Sequence, residues 1–195
     1  MQKSNQVQSR SLGNEKRLLT TRKLAFSALL VALSVAINSA RIGSISFGGF
    51  PIIFSGLVLG PGIGFIVGAV ADIVGFLIRP SATGGFNPLF ILTSALTGFI
   101  PGAMILLLKD KYPNYKIWKV FIAIAVGQLI TSVIMVPFFI TILYTKTVFA
   151  SPEFWTAFFV RVAKPLANQA INVPIYALIF TIIIKPISKA VDLTK

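Results

Sequence analysis

Arg161, Lys164, Asn168 and Asn172 stand at spacings of three and four, so a helix would carry two cations and two amides along one face, with Gln169 beside them. Facing into a bundle, that set can hold an anionic group and the polar edge of a small ligand. The plain alternative is that the two cations snorkel to lipid headgroups, but the accompanying asparagines point to a wet interior. A second stretch with chemical content is RPSATGGFNPLFILTSALTGFIPG, residues 79–102, which is polar and cationic between two apolar runs. Gly84 and Gly85 free its backbone, and Pro80 and Pro88 fix it locally. Phe86, Asn87 and Phe90 set two rings and an amide at the head of an apolar segment, and Thr93, Ser94 and Thr97 follow at helical spacing. Rings, an amide, hydroxyls and Arg79 are what a small aromatic, anionic ligand needs; a simple loop between two membrane helices would use the same Gly and Pro.

Asp72 is the acid that lies within an apolar run. A charge there is costly and marks a functional position with a partner. Arg79 follows about two helical turns later on roughly the same face. Asp72 is therefore either half of an internal ion pair or a hydrogen-bond acceptor for a ligand.

Catalytic constellations are missing. The chain has no Cys and no His, which removes thiol chemistry, disulfides, histidine–metal sites and a Ser–His–Asp triad. Glu153 and Asp72 form no recognisable acid–base pair, and neither Walker A nor Rossmann spacing occurs. The reading is a binding or transport protein, not an enzyme, with no metal or cofactor.

The elements that carry these residues follow from composition. Of 195 residues 55% are hydrophobic and 12% charged, and the mean hydropathy is +0.86. Soluble domains carry about 25% charged residues; this is an integral membrane protein. One span takes about 20 apolar residues, so the length allows roughly six. The expected fold is all-α, a six-helix transmembrane bundle, with a basic tail over residues 1–23, a membrane domain over 24–187 and a second tail over 188–195.

Residues 1–23 lack the apolar core and cleavage site of a signal peptide and read as a cytoplasmic tail. Helix one is expected over 24–40. Ala25, Ala28, Ala32 and Ala36 form one small-residue stripe along it, suited either to packing within the chain or to docking a partner helix. Residues 51–77 are split by Gly60-Pro61-Gly62 into pieces too short for two full spans, which predicts two short or tilted helices. Gly56, Gly60, Gly64, Gly68 and Gly75 imply close packing there. Helix four is expected over 88–108 and helix five over 117–143 with a kink at Pro137. Helix six is expected over 154–184, interrupted at Pro165 and Pro174.

The net charge of +13 would suggest nucleic acid in a soluble protein. On a six-span map most of the 18 basic residues instead fall on one face. They lie in the first tail, in Lys109, Lys111, Lys116 and Lys119, and in Lys185, Lys189 and Lys195. By the positive-inside rule that face is cytoplasmic, with both termini on it. Arg41, Arg79, Lys146, Arg161 and Lys164 are left for the outer side, where such residues are normally sparse, and an anionic ligand captured from outside accounts for them. Phe154, Trp155, Phe158 and Phe159 cluster above Arg161 and Lys164, as an interfacial aromatic belt would.

These residues resemble a known family, the S components of energy-coupling factor (ECF) vitamin transporters, and most closely the folate-specific branch. Four segments carry the resemblance: ALLVALSVA in helix one, GFPIIFSGLVLGPGIGFIVGAVADIVGFLI over 49–78, GGFNPLFILTSALTGFIPG over 84–102 and RVAKPLANQAINVPIYALI over 161–179. The loop departs from the branch in reading Gly-Phe-Asn-Pro-Leu-Phe. The resemblance implies a multi-pass subunit of the cell membrane that binds folate or a related pterin from outside. It also implies association with a T subunit and two ATPase subunits, and toppling in the membrane to release the vitamin inside. The stripe Ala25, Ala28, Ala32 and Ala36 is then the docking motif for the T subunit. Arg161 and Lys164, with Arg79 or Lys146, would take the ligand's carboxylates, with Asn168 on the same face. Asp72 and Asn87 would meet the pterin's amino and ring N–H groups, and Phe86, Phe90 and Trp155 would stack on its ring. Rival readings are a subunit for another vitamin such as pantothenate or a pyrimidine precursor, a stand-alone channel or exporter, and a membrane subunit without a ligand.

Overall fold

The computed structural model describes residues 21–40, 47–78, 87–110, 112–145 and 151–190. Arg41, Arg79, Phe86 and Lys146, and both terminal tails beyond these bounds, lie outside the described residues. The described chain is all-helical. It comprises α1 (Thr21–Ala40), α2 (Gly49–Leu59), α3 (Pro61–Ile78), α4 (Pro88–Leu107), α5 and α6 (Pro152–Ala190). α5 runs unbroken through Ile117–Gln128, a π-helical Leu129–Met135 and Val136–Thr145. Five of these helices are long and apolar enough to cross a membrane; the exception is α2.

The split at Gly60 appears as expected. Gly60 holds φ at +98°, in the region that favours glycine, and Pro61 opens α3. With 11 residues, α2 rises about 16 Å, roughly half of the hydrocarbon thickness. It survives in the membrane because protein surrounds it: Pro51 through Leu57 are buried, and Ile53, Phe54 and Leu57 join Val120, Ile124, Tyr176 and Phe180 in the core. Ring pairs fix the directions of its neighbours. Phe54 meets Phe26 of α1 and Phe180 of α6, and Phe50 meets Tyr176. Thus α2 runs antiparallel to α1 and parallel to α6.

Close approach joins α2, α3 and α4. A Cβ on Gly56 would overlap the Gly98 carbonyl, one on Gly98 the Gly64 carbonyl, and one on Gly68 the Ser94 carbonyl. Lipid provides no hydrophobic drive between helices, so backbone contact of this kind supplies the dispersion that holds them. Gly60 and Gly75 have open space where a Cβ would go; the expectation of close packing fails at these two, the first being a turn and the second facing away from its neighbours.

One expectation about proline gains detail and another is corrected. The helical run of α5 continues past Pro137. Its ring excludes the carbonyl four residues back, and the chain widens just before it, with the Val136 N–H bonding the Thr131 carbonyl five residues away. Pro165 and Pro174 do not interrupt α6, which is one 39-residue helix containing both and Pro186. Leu29, Leu77, Leu107 and Val160 are among the large apolar residues left exposed, as expected of a surface that meets acyl chains.

Candidate ligand-binding cavity

A cavity of about 390 Å³ opens among α1, α2, α4, α5 and α6, within the usual range for small-molecule sites. It lies at the end of the bundle formed by the C-terminus of α1, the N-termini of α2 and α4 and the first half of α6. The clustered lysines 109, 116, 119, 185 and 189 belong to the opposite helix ends. α6 supplies one wall as a four-residue ladder of Lys164, Asn168, Asn172 and Tyr176, with Gln169 in the adjoining row. α4 supplies Thr93, Ser94 and Thr97, and α5 supplies Gln128 and Ser132. Asn38 closes the α1 side.

The hydrogen bonds of this lining are unevenly satisfied. Thr93 Oγ1 donates to the Leu89 carbonyl (3.0 Å) and Thr97 Oγ1 to the Thr93 carbonyl (2.9 Å). Ser132 Oγ donates to Gln128 Oε1 at 2.6 Å. Ser94 Oγ donates across the helix interface to Asp72 Oδ1 at 2.9 Å. Gln169 Oε1 and Asn172 Oδ1 are buried with no hydrogen-bond partner, although buried polar atoms are paired in the great majority of cases. Asn172 is 3% exposed. Two unpaired acceptors belonging to residues that line a polar cavity are groups that a bound ligand or water would complete.

Residues 22–184 match the family described as ECF transporter, substrate-specific component. The chain belongs to that family. A relative is the Folate transporter FolT of Clostridium novyi (strain NT), 29% identical over 147 residues, covering 75% of this chain and 74% of that protein.

In this substrate-specific component the residues singled out from sequence separate into three groups. Lys164 and Asn168 line the cavity. Arg161 sits one turn away and does not line it; its guanidinium donates to Thr141 Oγ1 at 3.3 Å. Asp72 stands behind Ser94, outside the lining. Asn87 caps α4, its Oδ1 accepting from the Leu89 N–H at 3.0 Å, and Phe90 lies in the first turn of that helix without lining the cavity. Trp155 is 40% exposed and stacks edge-on with Phe154 and Phe158. Phe154 is buried against Phe138, so it is a packing residue and not part of an interfacial belt. Arg79, Phe86 and Lys146 lie outside the described residues. Ala25, Ala28, Ala32 and Ala36 are all exposed, so the stripe is not consumed by packing within the chain.

Sequence reasoning passed over Tyr176, Gln128 and Asn38 as lining residues. Tyr176 was findable: it is the next rung of the Lys164–Asn168–Asn172 ladder. It is also the ring that faces the cavity, held by Phe50 at 5.6 Å and Phe47 at 6.2 Å between centroids. Asn38 lies at the end of α1 and carries no periodic signal.

Proposed function

We propose that this substrate-specific component captures folate, or a related pterin, on the outer side of the cell membrane. It then delivers the vitamin together with a T subunit and two ATPase subunits, which supply the energy. The observation that carries the reading is the polar cavity with its unpaired Gln169 and Asn172 oxygens and Lys164 on its lining. The relative named a folate transporter supports the choice of vitamin.

In this reading both termini are cytoplasmic, and the cavity end faces outward. Lys164, with Arg161 and either Arg79 or Lys146, receives the ligand's carboxylates. Asn168, Asn172 and Gln169 meet the ligand's polar edge, and Tyr176 offers a ring face to its heterocycle. Asp72 serves the donor edge of the ligand, Asn87 shapes the start of α4, and Phe86, Phe90 and Trp155 contribute rings to stack on the ligand's heterocycle. The exposed alanine stripe of α1 is the face that meets the T subunit.

The test is isothermal titration of the purified chain against folate, pantothenate and a pyrimidine precursor, joined to mass spectrometry of small molecules that survive purification. Tight binding of folate and its presence in the purified protein support the proposal. Tight binding of a different vitamin alone replaces folate, and uptake by the chain without ATPase subunits would make it a channel or carrier.

A further inference from the structure

We propose that Asp72 is a positioning residue that makes the α4 wall of the cavity a hydrogen-bond acceptor surface, so that the ligand edge facing it must be rich in N–H donors. This rests on the vitamin-binding reading above and specifies which chemical edge of the ligand faces α4.

A hydroxyl has one proton to give and two lone pairs to offer. Once the proton is committed, the group meets a ligand as an acceptor alone. Thr93, Thr97 and Ser132 commit theirs within their own helices. Ser94 does not follow its neighbours on α4. Its proton crosses to Asp72 on α3, whose carboxylate in ionised form only accepts. The carboxylate's place inside an apolar helix is expensive, and fixing the direction of the Ser94 proton is the return visible in the geometry. Gln169 Oε1 and Asn172 Oδ1, both unpaired, add further acceptors across the cavity.

A carboxylate or carbonyl laid against α4 would therefore meet the lone pairs of Thr93, Ser94 and Thr97. An exocyclic amino group beside a ring N–H, as on an aminopyrimidine ring, satisfies them. The anionic end of the same ligand is then directed away from α4 and toward Lys164. Asp72 need not touch the ligand to impose this; it acts through Ser94.

The experiment titrates the purified full chain with folate and with its 2-desamino analogue, which lacks the exocyclic amino donor. The wild type is expected to bind folate at least about tenfold more tightly than the analogue. Ser94→Ala removes an acceptor, and Asp72→Ala takes away the group that fixes the Ser94 proton, leaving that proton available to a ligand; both reduce that ratio toward one. Asp72→Asn keeps an acceptor oxygen for Ser94 and restores it. A merely structural Asp72 would weaken both ligands alike and leave the ratio unchanged, which overturns the inference, as does equal binding of the two ligands by the wild type. If Asp72→Ala fails to fold, Ser94→Ala decides. Failure of the wild type to bind folate at all removes the choice of folate and this inference with it.

Discussion

Gly56 and Gly98 touch backbone to backbone: a side chain on Gly56 would occupy the position of the Gly98 carbonyl oxygen. Neither neighbour is a flexible side-chain tip, so neither can yield. Gly98→Ala is expected to destabilise the protein by about 1–3 kcal/mol or more through overpacking. Gly75→Ala, in open space, should be neutral or slightly stabilising, since alanine is the better helix former. Thermal unfolding in detergent compares the two; equal effects would mean that α3 and α4 are not packed through their glycines.

Lys164 lines the cavity, while Arg161 already donates to Thr141. Lys164→Ala should therefore weaken folate binding by about 2–5 kcal/mol if the pair is desolvated in the complex, and Arg161→Ala by less. Isothermal titration measures both. Unchanged affinity in Lys164→Ala would remove the carboxylate from that end of the cavity.

Asn172 holds an unpaired oxygen at 3% exposure. An unsatisfied buried polar group costs about 1–3 kcal/mol. Asn172→Leu is thus expected to raise the melting temperature of the ligand-free protein while abolishing the further rise that the proposed folate binding would give. A variant that loses stability without ligand would show that the orphaned acceptor is no burden.

Asp110 lies in the connection between α4 and α5. Its carboxyl is held below the usual carboxylate range, chiefly by the Lys116 N–H at 2.9 Å and, against some opposing desolvation, by Lys119 at 3.3 Å. A lowered folded-state value means that the folded chain prefers the ionised form. The contribution is complete above the unfolded value of about 3.9 and is lost as pH falls through the lower folded value. Asp110→Asn should cost less than about 1 kcal/mol near neutrality, and its difference from wild type should vanish at strongly acid pH. Melting curves of both proteins across that range check the sign.

The exposed alanines of α1 make a separable prediction. Ala28→Leu with Ala32→Leu adds bulk to an exposed face of α1, so folate affinity should hold within about twofold. Co-purification with a T subunit and transport into vesicles should be lost. Retained transport would place the docking face elsewhere.

Much of the fold was legible in single residues. The break at Gly60-Pro61-Gly62, the start of α4 at Pro88 behind Asn87, and the apolar runs of α1 and α5 follow from local rules of backbone freedom, capping and span length, which tertiary contacts did not override. The full length of α6 was not legible, because a proline removes one hydrogen bond and its surroundings decide whether the helix stops. The π-helical turn before Pro137 is of the same kind.

The sequence alone determined an all-helical membrane protein with cations and amides on one face of its last helix, since hydropathy, residue type and helical period are properties of the chain itself. Only the tertiary structure decided which of those groups share a cavity. It placed Lys164 and Asn168 there, set Arg161 on Thr141, moved Asp72 behind Ser94 and brought in Tyr176, Gln128 and Asn38 from three helices. The physical reason is that spacing fixes a residue's angle on its own helix, whereas the partner it meets depends on how helices cross, and that is set by glycine contacts and ring packing far apart in the chain.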